Sequence, residues 1–359
     1  MPGSTPAPDR CYWELTRRCA LNCQHCRADA GPAGADELDL NQALETADQL
    51  AALGVKAVVL TGGEPTLYDG WEKIAARLAH SGVRVRLFIS GWDFDHRTLQ
   101  AARDAGVSQF SISLDGLQPI HDRIRPVTDN PGASSFAAAL QALTIIRRAE
   151  MPIRVVTQVN RLNVDHLAAV YHLLAELKIA RWQLQLCQMT GRARRHGEEL
   201  MCEPRDLEQV LRILSVASQE RKIRAPMHCT VGYMIDEEPR LRPHGRHDPL
   251  MWLGCVAARQ TLAINAVGGV KGCTALPDEF VTASLKDRDL ADLWNDDGCF
   301  PYARRWSADL LAGLCAACMD SKICRAGCPA VAYAATGSIG ANPYCLKLVR
   351  QTPPDGVSD

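Results

Sequence analysis

The sequence predicts an α/β protein whose first two-thirds form a full or partial barrel of parallel strands. Two observations predict this class. Short apolar runs rich in β-branched residues alternate six times with helical stretches. The connections between them are short, which favours a parallel sheet covered by helices. A third observation, the density of cysteines from Cys255 onward, marks a separate C-terminal module.

Each predicted strand precedes a predicted helix. The strands are Cys11–Thr16, Lys56–Thr61, Val83–Ser90, Val107–Leu114, Ile153–Asn160 and Arg181–Cys187. The helices are Leu40–Leu53, Gly70–His80, Asp95–Ala105, Ser134–Ala149, Val164–Leu177 and Pro204–Glu220. Three helices are followed by Gly-Val, at Gly54, Gly82 and Gly106. Glycine relieves left-handed strain just past a helix end, so we expect the next strand to begin at the valine.

The change of pattern along the chain predicts its domain organisation. We assign residues 1–221 to the barrel, 222–254 to an irregular proline-rich bridge, 255–350 to the cysteine-rich module and 351–359 to a loose tail. The first ten residues have no apolar core and cannot be a signal peptide, and no apolar run is long enough to span a bilayer. The fifteen cysteines are therefore expected to bind metals or clusters in a reducing cytoplasm.

Composition excludes two classes of partner. Lysine plus arginine (40) nearly balance aspartate plus glutamate (41), so no net field favours nucleic acid or an anionic membrane. The 47% hydrophobic and 23% charged residues are ordinary for a soluble globular protein of 359 residues. One basic cluster, Gly191–His196, is predicted to be a solvated loop.

Three cysteines carry the strongest chemical signal. Cys19, Cys23 and Cys26 stand in a C-x3-C-x2-C spacing. Three thiolates on one short loop hold three irons of a [4Fe–4S] cube and leave the fourth iron open to a small molecule. The alternative is a zinc site in which His25 supplies the fourth ligand.

With Gly62-Gly63-Glu64-Pro65 about forty residues further on, this spacing resembles the radical S-adenosylmethionine (radical SAM) enzymes. The resemblance implies a (β/α)6 partial barrel. It also implies that the open iron binds the amino and carboxylate groups of SAM, whose reductive cleavage gives a 5′-deoxyadenosyl radical. The cysteines follow the first predicted strand, the Gly-Gly-Glu-Pro motif follows the second and Asp115 follows the fourth, so all of them are expected at one rim of the barrel.

The resemblance also assigns contacts to SAM. The residues expected at its amino group are Gly62, Gly63, Glu64 and Pro65. Ser113 and Asp115 match family contacts to the ribose and carboxylate. Arg125 either pairs with that carboxylate, since arginine binds carboxylates bidentately, or lies on the surface. His25 stands where the family often has an aromatic over the adenine, and Asn160 is expected in the same region.

The C-terminal cysteines resemble the SPASM extension of these enzymes, which holds two auxiliary [4Fe–4S] clusters. By motif position, the ligands of the outer cluster would be Cys315, Cys318, Cys324 and Cys345, and those of the inner cluster Cys255, Cys273 and Cys328. Either the fourth iron of the inner cluster is open, or Cys229 binds it. The open site is favoured because Cys229 lies outside the motif. Isolated zinc sites are the alternative for this module.

These features favour an enzyme that modifies a ribosomally synthesised peptide by hydrogen abstraction, for example by oxidative crosslinking. Ser90-Gly91 and Cys187-Gln188 resemble the pyrroloquinoline quinone peptide maturase. Only ten residues precede the first strand, so we expect a separate leader-binding protein as partner, and a flavodoxin- or ferredoxin-type reductant.

Three other functions are weighed against this one. Tetrapyrrole side-chain chemistry of the haem or haem d1 type is the main alternative, because Trp13–Cys19 and His25–Ala28 look much like those enzymes. Sulfatase maturation is disfavoured because Thr274, not an aspartate base, follows Cys273. A simple electron carrier would have no use for an open-iron cysteine trio beside a Gly-Gly-Glu-Pro loop.

Overall fold

The computed structural model describes residues 6–128, 130–242 and 254–351, and the elements in those ranges follow the predicted alternation. The strands are β1 (Arg10–Glu14), β2 (Ala57–Thr61), β3 (Arg84–Ile89), β4 (Val107–Ser113), β5 (Ile153–Val159), β6 (Trp182–Leu186), β7 (Thr261–Ile264), β8 (Gly269–Lys271) and β9 (Ala283–Ser284). The helices of the first half are α1 (Leu40–Ala52), α2 (Trp71–His80), α3 (His96–Asp104), α4 (Gln118–Ile124), α5 (Ser135–Arg148) and α6 (Leu167–Glu176). The later helices are α7 (Ala193–Leu200), α8 (Leu207–Glu220), α9 (Glu238–Leu241), α10 (Leu290–Asn295), α11 (Pro301–Arg304), α12 (Ser321–Cys324), α13 (Pro329–Thr336) and α14 (Leu346–Gln351).

The first of two compact units contains most of the sheet. It comprises Met1–Val156, Thr190–His196 and Val256–Trp306. Its strands lie in the order β5-β4-β3-β2-β1-β7-β8-β9, and β1 through β5 pair in parallel, as does β7 with β1. The predicted α/β class with a parallel sheet is confirmed. All parallel strands end at one edge, where the loops that follow β1, β2 and β4 converge.

Local sequence patterns predicted the positions of the barrel strands and helices accurately. All six predicted strands and all six predicted helices are present, and the observed strands begin and end within two residues of the predicted positions. Asp39 caps α1 by accepting from the backbone N–H of Gln42, whose side chain accepts from Asp39 in return. The glycines after α1, α2 and α3 have φ of 86°, 79° and 75°, the left-handed conformation expected of them.

The hairpin of β7 and β8 was not predicted. Its first strand pairs with β1, Arg10 opposite Thr261, although the two are far apart in the sequence. β8 runs antiparallel to β7 and carries Lys271 and, just beyond it, Cys273. No periodicity within a short window reports such a long-range pairing, which is why sequence patterns alone did not indicate it.

The second unit comprises Thr157–Met189, Gly197–Cys255 and Ser307–Asp359. It contains β6 beside the last residues of β5, with α6, α8, α9 and α12 to α14. The predicted bridge and tail lie partly outside the described residues, at 243–253 and 352–359. The compact units each join three segments, whereas the predicted domains are linear. Those linear boundaries stay a prediction.

One loop prediction was wrong. The basic cluster at residues 191–196 is not a solvated loop, because α7 begins at Ala193 and the Arg192 side chain is buried. Within the described ranges, no helix has the length and hydropathy to cross a membrane.

Candidate functional site

The cysteine loop begins where β1 ends. Cys23 is buried, while Cys19 and Cys26 are half-buried, and the three pack around Leu21 and Val127. All fifteen cysteines of the sequence lie in the described part of the chain, and none forms a disulfide. The loop therefore presents three free thiols from one small apolar cluster.

The last residue of α4 and the segment after it support one side of this loop through the backbone. The N–H of Asn22 donates to Pro126 O (2.8 Å), and the N–H of Gln24 donates to Ile124 O (2.9 Å). The N–H of Thr128 in turn donates to Ala20 O (2.9 Å). These ladder-like bonds hold the loop residues between the cysteines in one conformation.

Arg192 supports the other side, and sequence reasoning missed it. Its guanidinium donates to Cys23 O (3.0 Å) and Ala30 O and pairs with Asp29 (3.1 Å), while its backbone N–H donates to Cys26 O (2.9 Å). It is 7% exposed. Gly191, at φ 55°, has no Cβ to overlap the carbonyl oxygens of Cys26 and Arg27. In the sequence, the pair Gly191-Arg192 at the start of the basic cluster could have indicated that this segment approaches another backbone.

The glycine pair after β2 packs against the chain that enters the loop. A Cβ on Gly62 would overlap Thr16 O, and one on Gly63 would overlap Arg18 O. The Gly63 N–H donates to Thr16 O (2.6 Å), and the Glu64 N–H donates to Arg18 O (2.8 Å). The motif thus needs glycine for the close approach of two backbones.

Glu64 points a buried carboxylate towards the loop after β3. Its Oε2 accepts from the Ser90 N–H (2.8 Å) and the Ser90 hydroxyl (2.6 Å), and Oε1 accepts from Thr66 Oγ1 (3.3 Å). Burial raises the pKa of Glu64 to about 7, although these hydrogen bonds oppose the shift. Pro65 opens the short 3-10 turn Pro65–Leu67 behind it. Glu64, Ser90 and Cys19 line one cavity of about 360 Å³.

His25, Asp115 and Arg125 meet in a buried cluster. Asp115 Oδ2 lies 2.6 Å from His25 Nε2 and accepts from Arg125 Nε (2.6 Å), and Arg125 Nη1 reaches to 3.8 Å from Cys23 Sγ. Burial alone would raise the pKa of Asp115, but the charge of Arg125 holds it well below its usual range. Burial lowers the pKa of His25. Arg125 is therefore not a surface residue.

Two other predicted residues are buried at strand ends. Ser113 ends β4 and pairs with Val156 on β5. Asn160 follows β5 in the second unit, where its Oδ1 accepts from the Leu162 N–H (2.9 Å) and its backbone N–H donates to Asn163 Oδ1 (2.8 Å). The predicted SAM contacts of Ser113, Asp115, Arg125, His25 and Asn160 stay predictions.

A second group of cysteines surrounds a cavity in the second unit. The four sulfur-bearing residues on its wall are Cys315, Cys318, Cys324 and Cys345. The Asn342 N–H donates to Cys315 Sγ (3.5 Å), and Lys347 pairs with Asp320 at the same cavity. The structure thus brings together all four residues predicted for the outer cluster.

The residues predicted for the inner cluster fall in both units. Cys273 follows β8 in the first unit, and its Sγ accepts from the Ala275 N–H (3.4 Å). Cys255 and Cys328 belong to the second unit, where Cys328 is the N-cap residue of α13. The four cysteines without a motif role, Cys11, Cys187, Cys202 and Cys299, are all buried.

A cavity in the first unit, here called the rim cavity, adjoins the cysteine loop at Arg27–Asp29. It has a volume of about 290 Å³. Its charged lining residues are Glu14, Arg17, Arg27, Asp29, Arg194, Lys271, Asp278 and Glu279. Lys271 Nζ lies 2.8 Å from Asp278, and Arg194 lies 3.2 Å from Glu279. Arg27 Nε is buried without a hydrogen-bond partner among the described residues.

The family model of the radical SAM superfamily matches residues 13–174, which span the cysteine loop, the glycine motif and β1 to β5. An AdoMet-dependent heme synthase of Methanosarcina barkeri is 30% identical over 356 residues, covering 96% of this chain and 98% of that protein. The chain belongs to the radical SAM superfamily. It is therefore a radical SAM enzyme, and its cofactors are a [4Fe–4S] cluster and SAM.

Other proteins similar to this radical SAM enzyme include a maturase and an enzyme whose structure was solved with a precursor peptide. The mycofactocin maturase MftC of Mycobacterium ulcerans is 30% identical over 352 residues, with 95% of this chain and 88% of that protein covered. Among solved structures, SuiB of Streptococcus suis, bound to the precursor peptide SuiA, superposes with a TM-score of 0.71. That match has 16% identity and covers 94% of this chain and 75% of SuiB, so it shows a shared fold.

The residues of the cysteine loop fit a [4Fe–4S] cluster by the chemistry of their donors. Burial raises the pKa of Cys19 far above its ordinary value and that of Cys23 to about 11, although Arg125 opposes the shift at Cys23. Such thiols lose their protons when iron binds them. Among the described residues, no three His, Cys, Asp or Glu side chains converge on a single metal ion.

Proposed function

We propose that this radical SAM enzyme abstracts a hydrogen atom from a ribosomally synthesised peptide and leaves it oxidised, for example by a crosslink. The cluster that Cys19, Cys23 and Cys26 would hold supplies, when bound, the electron that cleaves SAM to a 5′-deoxyadenosyl radical. The observation that carries the peptide assignment is the mixed charge of the rim cavity.

The charged lining of the rim cavity consists of four cationic and four anionic side chains. A peptide segment carries amides, side chains and charges of both signs, and such a lining complements it. A biosynthetic tetrapyrrole needs broad apolar walls for its ring and an excess of cations for its carboxylates. None of the residues described on this wall is aromatic.

Arg27 is the residue we assign to substrate orientation in this cavity. It directly follows Cys26 in the sequence and lines the rim cavity. Its Nη2 forms a long ion pair of 3.8 Å with Glu14. Its buried Nε–H has no hydrogen-bond acceptor among the described residues and can donate to a substrate. A substrate carboxylate or backbone carbonyl would satisfy that donor, because a buried unpaired N–H costs about 1–3 kcal/mol.

The residues around the glycine motif would hold SAM. Glu64 accepts hydrogen bonds through both oxygens, and a carboxylate beside Cys19 suits the cationic amino group of SAM. An oxidative crosslink also requires a second electron to leave the substrate. The cysteine-lined cavity of the second unit supports an acceptor there, and a flavodoxin- or ferredoxin-type protein would be the external redox partner.

The experiment uses the anaerobically reconstituted protein with SAM, a strong reductant and peptides from reading frames that neighbour its gene. The expected result is a peptide lighter by the mass of two hydrogen atoms, with 5′-deoxyadenosine formed in step. A peptide deuterated at the reacting carbon should transfer deuterium to 5′-deoxyadenosine. Arg27→Gln should raise the peptide KM at least tenfold while cleavage of SAM without peptide continues.

A separate leader-binding protein is proposed as partner. The test omits or adds that protein in the same reaction. Complete modification of a leader-bearing peptide by this chain alone would remove the need for such a partner. No peptide product under any condition, together with unchanged SAM cleavage, would overturn the peptide assignment but leave the superfamily assignment intact.

The second candidate is tetrapyrrole side-chain chemistry. The heme synthase of Methanosarcina barkeri favours it, because the match covers 98% of that protein. Iron coproporphyrin III is the probe: a spectral change on titration and stimulated 5′-deoxyadenosine formation would favour this candidate over the first. Sulfatase maturation stays disfavoured, since Thr274 on the rim cavity wall has no carboxylate to act as base.

A further inference from the structure

Polar side chains occupy one face of the sheet in the first unit, and arginines stand at the end of that face where the strands begin. Along β3, Arg84 and Arg86 alternate with buried apolar side chains. Arg10 and Tyr12 alternate with buried side chains in the same way along β1. Tyr12 is level with Val59 of β2, and Val59 is level with Arg86. Because level residues of parallel neighbours point the same way, Arg10 and Arg86 share a face.

Arg154 joins this group from β5. Gln109 of β4 is level with Arg86, and Ser111, two residues further along β4, is level with Arg154. Residues two apart on a strand point to the same side, so Arg154 shares this face too. Burial, and next the charges of Arg10 and Arg154, lower the pKa of Arg86 to about 10. The group, here called the arginine cluster, consists of Arg10, Arg84, Arg86 and Arg154.

The arginine cluster is not neutralised by the chain around it. Elsewhere in the first unit arginines lie beside carboxylates, as Arg77 lies 3.6 Å from Asp48. Among the described residues, Arg84 and Arg86 form no ion pair of this kind. Like charges held close together destabilise a folded chain unless an opposite charge is bound among them.

Arg10 retains a hydrogen-bond donor that the protein does not use. Its Nη1 donates to Tyr12 Oη at 3.2 Å, whereas its buried Nε has no hydrogen-bond partner in the part of the chain that the structure describes. Asp9 attracts Arg10 but is itself paired with Lys56 at 2.5 Å. A buried N–H without an acceptor is unfavourable, so an acceptor from outside the chain would be bound favourably there.

From this geometry we infer that the arginine cluster is a binding site for a small anion that carries at least two negative charges, as phosphate or carboxylate groups. Guanidinium groups bind both kinds of oxyanion through paired hydrogen bonds. Arg84 is exposed and Arg86 is half-buried, so a small ligand can reach them from solvent. The anion supplies the charge that opposes the repulsion among the arginines.

This site is distinct from the radical site. Arg10 is the first residue of β1, whereas the cysteine loop follows Glu14, its last residue. The step from residue 10 to residue 14 of a strand spans about 13 Å. In barrels of this type the active site lies at the ends where the strands finish, not where they begin. The inference therefore goes beyond the proposed peptide chemistry, and its test needs neither SAM nor peptide.

The test titrates the full-length, iron-loaded protein with inorganic phosphate or with glutarate, a dicarboxylate, at low ionic strength. Isothermal titration calorimetry gives the Kd, and thermal unfolding gives the shift in Tm. Sodium chloride at matched ionic strength corrects for the screening of exposed charges by salt. The variants are Arg86→Gln and Arg10→Gln, and the control is Arg103→Gln, at an exposed arginine of α3.

At least one of the two anions should bind the wild type and raise its Tm as the concentration of the anion rises. Arg86→Gln and Arg10→Gln should each raise the Kd about tenfold, whereas Arg103→Gln should leave it unchanged. Without the anion, Arg86→Gln should raise the Tm, because it removes one of several like charges. An arginine with a structural role alone would give the opposite result, a lower Tm with an unchanged Kd.

The two probes also distinguish the source of the negative charge. Binding of phosphate alone would assign a phosphorylated ligand, binding of glutarate alone would assign a carboxylate ligand, and either result supports the site. If neither anion bound beyond the effect of chloride, or if the Kd were equal in the wild type and both variants, the inference would be wrong. Because Arg10 and Arg86 lie on different strands, a folding defect in one variant leaves the other to decide.

Discussion

Arg125 donates from Nε to Asp115 Oδ2 at 2.6 Å, and its Nη1 reaches to 3.8 Å from Cys23 Sγ. The carboxylate is fully buried and also contacts His25. This contact links the end of β4 to the cysteine loop. The stability of the loop therefore depends on Asp115, although Asp115 is not itself a predicted cluster ligand.

Asp115→Asn should destabilise the protein and loosen the cluster. The change leaves the buried guanidinium of Arg125 without its charge partner, and removing one partner of a buried pair costs about 3–5 kcal/mol. Chemical denaturation of the iron-free protein and iron content after reconstitution measure the two effects. Asp36→Asn, at an exposed aspartate, is the control. Equal unfolding free energies in both variants would contradict the prediction.

Arg192→Lys should weaken retention of the first cluster. Lysine cannot reproduce the guanidinium contacts to Cys23 O, Ala30 O and Asp29, because its single ammonium lacks the planar fork of donors. The rate of iron loss to a chelator should rise severalfold. The comparison variant is Arg103→Lys, at an exposed arginine on α3, which should behave as the wild type. A wild-type rate in Arg192→Lys would show that the loop does not need this support.

Gly63→Ala should disrupt the junction between the glycine motif and the cysteine loop. The added methyl group would overlap Arg18 O, and overpacking of this kind costs about 1–3 kcal/mol. Thermal unfolding should show a lower Tm, and SAM affinity should fall. Gly31→Ala is the matched control, since Gly31 pairs with Arg18 yet has open space for a Cβ. If Gly31→Ala were the more damaging change, the close-approach argument would fail.

Ionisation of Glu64 should lower the free energy of unfolding as the pH rises. Its folded pKa of about 7 exceeds the ordinary value of 4.5, so between these pH values the folded state binds more protons than the unfolded state. Stability is then lost progressively over that window, by about 3 kcal/mol in total, and levels off above pH 7.

Unfolding free energies of the iron-free protein from pH 4.5 to 8 measure this dependence. Glu64→Gln, which cannot ionise, should lose the component that wild type shows, whereas Glu45→Gln, at an exposed glutamate on α1, should retain it. Parallel curves for wild type and Glu64→Gln would contradict the buried, raised-pKa carboxyl.

The two groups of cysteines should separate in their effects on SAM. Cys19→Ala, Cys23→Ala or Cys26→Ala should abolish 5′-deoxyadenosine formation, because each removes a predicted ligand of the first cluster. Cys315→Ala or Cys318→Ala should leave some cleavage but little product. Cys299→Ala, at a buried cysteine with no predicted ligand role, serves as the control. If the triple variant of the first group still cleaved SAM, the assignment of Cys19, Cys23 and Cys26 to the first cluster would be wrong.

The sequence alone determined the fold class and the cofactors, a [4Fe–4S] cluster and SAM. The alternation of six strands and helices follows from hydrophobic periodicity within short windows, and glycines after α1, α2 and α3 mark helix ends by their own backbone preference. The C-x3-C-x2-C spacing and the glycine motif are equally local. Both motifs could be recognised in the sequence because their function depends on residues that are close together in the chain.

Only the tertiary structure decided what surrounds those motifs. It gave β1 a second parallel partner in β7, buried Arg192 against the cysteine loop, and joined Asp115 to Arg125 and His25. It also brought arginines from three strands to one face of the sheet. The physical reason is the same in each case. These contacts link residues from distant segments, whose approach depends on how the whole chain packs, and no local periodicity or spacing records it.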